Sequence, residues 1–306
     1  MTAIFKDPAR QEEFDRRGFT VVRLLDRAEA ESVRRALDEA QAGADASCRH
    51  EQSFCTPDAD YRQRAHGIVA AAIAERVVAL LENYRVLACG VIDKSPGKPT
   101  LQAHRDPDVL ADPQLVGLSI WCPLVDVDKG SGALTMVPGS HKLPNIQAAG
   151  LPGFYAGYDD ALGPLSVTVA LAAGEAVLFD QRICHGSCPN SSGRQRPAVR
   201  ATAIPSGSRM ILHRSEAASG GARFELIEVE TGPDGILAYN PEDVASADFE
   251  VPVLGYAPNR NRPVGLRECK ARFAESEGRH GFAMLRADLA FMRQRVREVV
   301  RPRPAS

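Results

Sequence analysis

Hydrophobic and polar positions alternate along this chain in two different rhythms. Near the start, Val33, Ala36, Leu37 and Ala40 recur at helical spacing with polar residues between them, the pattern of a helix that buries one stripe. Asp26 stands before that run and Glu29 three residues after it, a capping-box arrangement in which each side chain satisfies the other's backbone N–H. Gly43 is expected to end the helix. Upstream, Gly18 leads into Phe19, Val21, Val22, Leu24 and Leu25, so residues 14–25 read as a turn and a strand. Residues 48–64 are polar without a clear period. A second helix is expected over residues 67–83, alanine-rich, with Ile73, Val77, Leu80 and Leu81 on its apolar side.

From Tyr84 the rhythm changes to short β-type runs separated by turn residues. Strands are expected at 85–93, 101–105, 117–127, 133–137, 166–171, 176–180, 185–187 and 197–205. Turns fall between them at 95–99, 128–132, 138–140, 172–174 and 190–193. Many short strands with regular turns predict a mainly β sandwich or barrel with flanking helices. Residues 142–163 interrupt this and carry Phe154, Tyr155, Tyr158, Asp159 and Asp160; so long a loop in a compact β domain reads as a lid or binding loop. Beyond residue 206 the expectations are sparser: a strand at 224–230, a turn at 243–248, a loop at 259–263. A final helix is expected at about 283–301, with Leu285, Leu289, Met292, Val296 and Val299 as its apolar stripe. The whole, 1–306, reads as one domain: helices within 26–83, a β core over about 84–206 and a C-terminal extension over 207–306.

Composition narrows the function. The chain has 306 residues, 44% hydrophobic and 25% charged, with a net charge of −2, which offers no electrostatic reason to bind nucleic acid. No apolar run reaches membrane-spanning length, and the N-terminus carries charges where a signal peptide needs its apolar core, so a cytoplasmic location is expected by default. The arginine-rich final helix is expected to pack on the barrel or on a second copy, a homodimer through the C-terminal region, rather than on nucleic acid. Seven cysteines (Cys48, Cys55, Cys89, Cys122, Cys184, Cys188, Cys269) form no CxxC pair, which points to reduced thiols in or beside the core.

The candidate chemistry lies in LQAHRD at 101–106 and ICHGSCPNSSGRQR at 183–196. His104 and Asp106 sit two apart, so on a strand both project from one face. With His185 they make a 2-His-1-carboxylate set of the kind that holds non-heme Fe(II) with coordination positions open. A 2-oxoacid and dioxygen fit those positions. The far carboxylate of 2-oxoglutarate then needs a planar, permanently charged partner, for which Arg196 is the candidate. Ser187 can add a hydroxyl donor, Arg200 is the reserve on the same strand face, and Arg194 belongs to the turn.

The combined motifs resemble the phytanoyl-CoA dioxygenase family of Fe(II)/2-oxoglutarate-dependent oxygenases over about residues 14–205. The resemblance rests on Phe19–Leu25, DKSPG at 93–97, HRD at 104–106, IWCPLVDVDKGSGALTMVPGSH at 120–141, GEAVLFDQRICHGSCPN at 174–190, and Arg196. It implies a double-stranded β-helix, a cupin-like jelly roll, with His104, Asp106 and His185 as catalytic iron ligands. It also implies Arg196 and Ser187 on the cosubstrate's C5 carboxylate, and Trp121 lining its pocket, although a core tryptophan fits position 121 equally. His141 matches the family pattern without being a ligand, and a turn-stabilising or solvent-facing role is expected. Ala103 departs from the aromatic common before HRD. Halide-transferring relatives carry a small residue in the carboxylate position; Asp106 instead implies oxygen chemistry on a C–H bond of a small molecule.

Residues 142–163 and those past 206 are the expected sources of substrate specificity, with Tyr155, Tyr158, Asp159, Arg209, His213 and Arg214 as polar candidates. The absence of a Lys/Arg cluster for a CoA phosphate favours a natural-product or amino-acid-like metabolite. Two other readings stand beside this one: a cupin-like metalloenzyme that does not use 2-oxoglutarate, and a non-catalytic β-barrel binding protein.

Overall fold

The computed structural model describes residues 3–42, 52–143, 145–149, 159–229, 246, 250–278 and 281–300. The expected loop residues Phe154, Tyr155 and Tyr158, the helix stop at Gly43 and most of the turn at 243–248 lie outside them.

A helix that the sequence pattern did not predict comes first: α1, Pro8–Arg17. Asp7 caps it by accepting from the Ala9 N–H, proline occupies its first turn, and Gly18 ends it at φ 86°, a left-handed geometry that glycine adopts without a Cβ penalty. Strand β1, Phe19–Arg23, follows. Helix α2, Arg27–Ala42, opens on the expected capping box: the Asp26 N–H donates to Glu29 Oε2 and the Glu29 N–H to Asp26 Oδ1, both at 2.8 Å. Helix α3 runs over Ala59–Leu80, starting earlier and ending sooner than its apolar pattern suggested. Asp58 caps it through the Tyr61 N–H, and Tyr61, Ala65, Val69, Ile73 and Val77 form one buried row at four-residue spacing.

The β strands follow as β2 (Tyr84–Lys94), β3 (Leu101–His104), β4 (Leu118–Pro123), β5 (Leu134–Met136), β6 (Val167–Val169), β7 (Glu175–Asp180), β8 (His185–Ser187) and β9 (Arg196–Pro205). Between β5 and β6 a short helix α4, Asp159–Leu162, occupies the end of the expected loop. Strands form an antiparallel five-stranded sheet in the order β1-β7-β4-β9-β2, and a four-stranded sheet in the order β3-β8-β5-β6. Facing one another, these two sheets make the jelly roll.

Side-chain alternation divides the large sheet between two cores. Ile120, Cys122, Ala176, Leu178, Val199, Ala201 and Ala203 join the helices in an outer core. Trp121, Val177, Phe179 and Ala198 face the small sheet's Leu134, Met136 and Val169 in the inner one. With both faces covered, β4 and β7 read in sequence as almost continuous apolar runs.

The C-terminal extension supplies β10 (Ile211–Ser215), β11 (Arg223–Glu228) and β12 (Val253–Pro258) as a third antiparallel sheet. Two helices follow, α5 (Leu266–Glu277) and α6 (Gly281–Val300); β10, β12 and α5 were not foreseen. Through Leu266, Cys269, Phe273 and Ala287 these helices share a core with α4's Leu162 and with Val137, Cys184 and Ala103 beside the small sheet. The expected α6 stripe is overturned: Leu285, Leu289 and Met292 are exposed, and the helix is buried through Ala287, with Ala283, Met284 and Phe291 beside it. Cys89, Cys122, Cys184, Cys188 and Cys269 are buried free thiols. Among the described residues, no helix is long and apolar enough to cross a membrane.

Candidate metal centre

Strands β3 and β8 pair antiparallel with His104 directly opposite His185, which brings the two imidazoles together with ring centroids 4.5 Å apart and planes tilted by 47°. Each ring's Nδ1 lies against the carbonyl two residues back, Gln102 O at 2.9 Å and Ile183 O at 3.2 Å. Those contacts assign the proton to Nδ1 and leave Nε2 as the free ligating nitrogen. Asp106, two residues past His104, turns in beneath them, with Oδ1 3.9 Å from His104 Nε2 and 3.8 Å from His185 Nε2. The three ligand atoms all lie within 4.8 Å of one another. An ion with bonds of ~2.1 Å would draw them together by about an ångström.

Electrostatics prepare the same set. Burial pushes the His185 imidazole down to about 4, so it is neutral at physiological pH, the form that binds a metal. Burial alone would raise the Asp106 carboxyl, but His185, Arg200 and His104, with a hydrogen bond from Ser119, hold it below the usual carboxylate range. Two neutral imidazoles and a carboxylate suit non-heme Fe(II). Phe179 packs against His185 with ring centroids 5.0 Å apart and planes tilted by 55°, on the inner-core side.

A second cluster lies further along the same strand, β8. Ser187 follows His185 by two residues on the same face of β8, about 6.6 Å along the strand. Lys94 Nζ donates to Ser187 Oγ at 2.8 Å and to Cys188 O at 2.7 Å. Arg196 pairs with Lys94 across β9 and β2, and its guanidinium lies over Trp121, 5.0 Å from the ring centroid. All four side chains are buried. Gly132, at φ 84°, backs the cluster; a Cβ there would stand 3.1 Å from Lys94 Cδ.

Thus the structure brings His104, Asp106 and His185 together at one end and Ser187, Arg196 and Trp121 at the other. Lys94 was missed because it was read only as part of DKSPG. The available signal was its place on the period-two face of β2 with Gly90 and Ile92. Arg200 stands apart from Arg196, its Nη2 3.3 Å from Asp106 Oδ2. Arg194 lies in the turn, as expected.

Other expectations are corrected. His141 is buried rather than solvent-facing, packed near Phe14 and against Gly18. His213 is buried on β10 edge-on to Phe224, and Arg214 is buried with Glu225 at 2.7 Å; both belong to the extension's packing. Arg209 pairs at the surface with Glu228. Asp159 starts α4.

Comparison with known proteins points the same way. The family model described as phytanoyl-CoA dioxygenase (PhyH) matches residues 3–198. The dioxygenase trt7 of Aspergillus terreus is 29% identical over 126 residues, 39% of this chain and 40% of that protein. That match therefore spans about two fifths of the relative's length. Among solved structures, the epimerase SnoN in complex with Fe3+, alpha ketoglutarate and nogalamycin RO aligns with a TM-score of 0.50 at 25% identity, covering 67% of this chain and 87% of that one. The alpha ketoglutarate-dependent carbocyclase SnoK from nogalamycin biosynthesis aligns with a TM-score of 0.46 at 19% identity, covering 67% and 86%.

Proposed function

This chain belongs to the phytanoyl-CoA dioxygenase family, and from that premise we propose that it is an Fe(II)- and 2-oxoglutarate-dependent dioxygenase that hydroxylates an unactivated C–H bond of a small metabolite. The observation that carries the reading is the pairing of two clusters along one strand, β8, which carries both His185 and Ser187. A His-Asp-His donor set stands at one end, and two buried cations meet across the β2–β9 ladder at the other.

His104, Asp106 and His185 would hold the metal as three donors on one face. Trp121 and Phe179 belong to the inner apolar core between the large and small sheets and would exclude water there. Lys94, Arg196 and the Ser187 hydroxyl would take the far carboxylate of 2-oxoglutarate, which answers the charge of two cations placed side by side. The distance along β8 from Ser187 to His185, about 6.6 Å, suits a five-carbon diacid reaching from those cations to the metal. When bound there, Fe(II) with 2-oxoglutarate and dioxygen supplies an oxidant strong enough for an aliphatic C–H bond, with succinate and carbon dioxide as co-products.

A natural-product or amino-acid-like substrate is favoured. SnoN is solved with nogalamycin RO, and the three-stranded sheet β10–β12 and helices α5–α6 add surface beyond the family's matched residues. Succinate release from 2-oxoglutarate, with Fe(II) and ascorbate across a metabolite panel, tests the reading. Substrate-stimulated succinate formation is expected, falling to background in His185→Ala. Full activity in Arg196→Ala would instead favour a metalloenzyme that does not use 2-oxoglutarate.

A further inference from the structure

The two oxygens of Asp106 have separate surroundings. Oδ1 is the atom nearest both imidazole Nε2 atoms, whereas Oδ2 meets Arg200 Nη2 at 3.3 Å and the Ser119 hydroxyl at 3.4 Å. Arg200 is in turn covered by Phe54, whose ring centroid lies 5.5 Å from the guanidinium carbon, within cation–π range. We propose that Arg200, braced by Phe54, is a positioning residue that aims Asp106 Oδ1 at the metal. The inference rests on the Fe(II)/2-oxoglutarate reading and deepens it.

The brace is built into β2. The β2–β9 ladder slips between Leu87 and Gly90, and Ala88 there has φ 47°, a bulge that disturbs the regular pairing. Residues 52–54 lie across this irregular stretch: Gln52 bridges to Ile92, and Ser53 Oγ accepts from the Val91 N–H at 3.1 Å. Gly90 stands opposite Arg200 in the ladder, and a Cβ there would come 2.5 Å from Ser53 Oγ and 2.6 Å from the Phe54 ring. The missing side chain at position 90 thus lets Phe54 reach the guanidinium. A flat, permanently charged group held on one face by an aromatic ring loses little further freedom when it donates to a carboxylate. Held at Oδ2, Asp106 presents the other oxygen without having to search for it.

Calorimetric titration of Co(II) into the metal-free chain, without 2-oxoglutarate, tests this. Arg200→Gln is expected to weaken Co(II) binding about 10–100-fold, the cost typical of losing a partner that orients a metal-ligating group. Ser119→Ala and Phe54→Ala are expected to move it the same way by less. With Fe(II) saturating, the KM for 2-oxoglutarate in Arg200→Gln is expected to match that of the parent chain. A guanidinium acting only as a charge would repel the ion, so equal or tighter Co(II) binding in Arg200→Gln overturns the inference. A raised KM for 2-oxoglutarate with unchanged Co(II) affinity overturns it too, because Arg200 would then be a cosubstrate contact. Should Arg200→Gln fail to fold, the Ser119 and Phe54 variants decide by the same criterion. If the parent chain binds no Co(II), the proposed function falls and this inference with it.

Discussion

The two side-chain clusters along β8, the cation end and the metal end, are made in different ways. At the cation end, Lys94 and Arg196 come from the two longest paired strands, β2 and β9, and with Ser187 they are almost wholly buried. At the metal end, His104 closes a four-residue strand, Asp106 lies beyond it, and Arg200 is covered by a segment from outside the sheets. Side-chain exposure is greater for most of this end, 37% for His104, 19% for Asp106 and 27% for Arg200, whereas His185, on β8 with Ser187, is buried at 8%. A ladder of many hydrogen bonds fixes geometry rigidly, whereas short strands and loop residues leave room for a ligand to adjust. The rigid end suits a cosubstrate of fixed shape, and the open end is where a variable substrate would meet the metal.

The strongest challenge to that contrast is to remove a cation. Arg196→Ala and Lys94→Met are each expected to raise the KM for 2-oxoglutarate about 10–100-fold, the scale of one lost charged hydrogen bond. Co(II) affinity measured by calorimetry is expected to stay at its parent value. If metal affinity fell with the cosubstrate, the two ends would be one cooperative unit and the contrast would be wrong.

Acid sharpens the comparison from the other side. His141 follows Ser140, whose Oγ accepts from the Cys184 N–H just before His185, so this turn supports the metal end. Burial holds the His141 imidazole down at about 4, below the 6.5 of an exposed histidine. The unfolded chain therefore takes up a proton first. The stability from keeping His141 neutral is complete above pH 6.5 and is lost as pH falls through 4, by about 3 kcal/mol. Urea unfolding of the metal-free chain at pH 7.5 and pH 4 should show the loss, and His141→Phe should reduce it. Hydrogen exchange around residues 183–187 is expected to rise over the same pH window, because the Cys184 N–H that donates to Ser140 immediately precedes His185.

The smallest expected effect comes from Gly90→Ala. Its Cβ pushes Ser53 and Phe54 away from Arg200, which should lower substrate oxidation a few-fold while the KM for 2-oxoglutarate stays unchanged. A change confined to 2-oxoglutarate would place Phe54 at the wrong end.

Local features were legible before any coordinates. The Asp26–Glu29 box involves residues three apart, and hydrogen bonds that short in sequence barely depend on tertiary context. Period-two alternation and turn residues located the strands of the jelly roll. The spacing of His104 and Asp106 put two candidate ligands on one face, and GEAVLFDQRICHGSCPN carried His185 and Ser187 together. Less was visible where packing overrides local pattern. The α1 residues include only one that is buried, Phe14, so no apolar stripe announced the helix. The apolar stripe of α6 was conspicuous, yet the helix turns Ala287 inward, where a small residue allows close approach to α4 and the turn that follows it.

Sequence alone determined which residues could share a face, because side-chain direction on a strand or helix follows from backbone periodicity within a few residues. It could not determine which faces meet. Lys94 joins Arg196 only through the register of β2 on β9, and Arg200 reaches Asp106 only because β9 and the end of β3 are brought together by the packing of the two sheets. Residues far apart in the chain become neighbours through packing that is summed over the whole fold, and no single stretch encodes that sum.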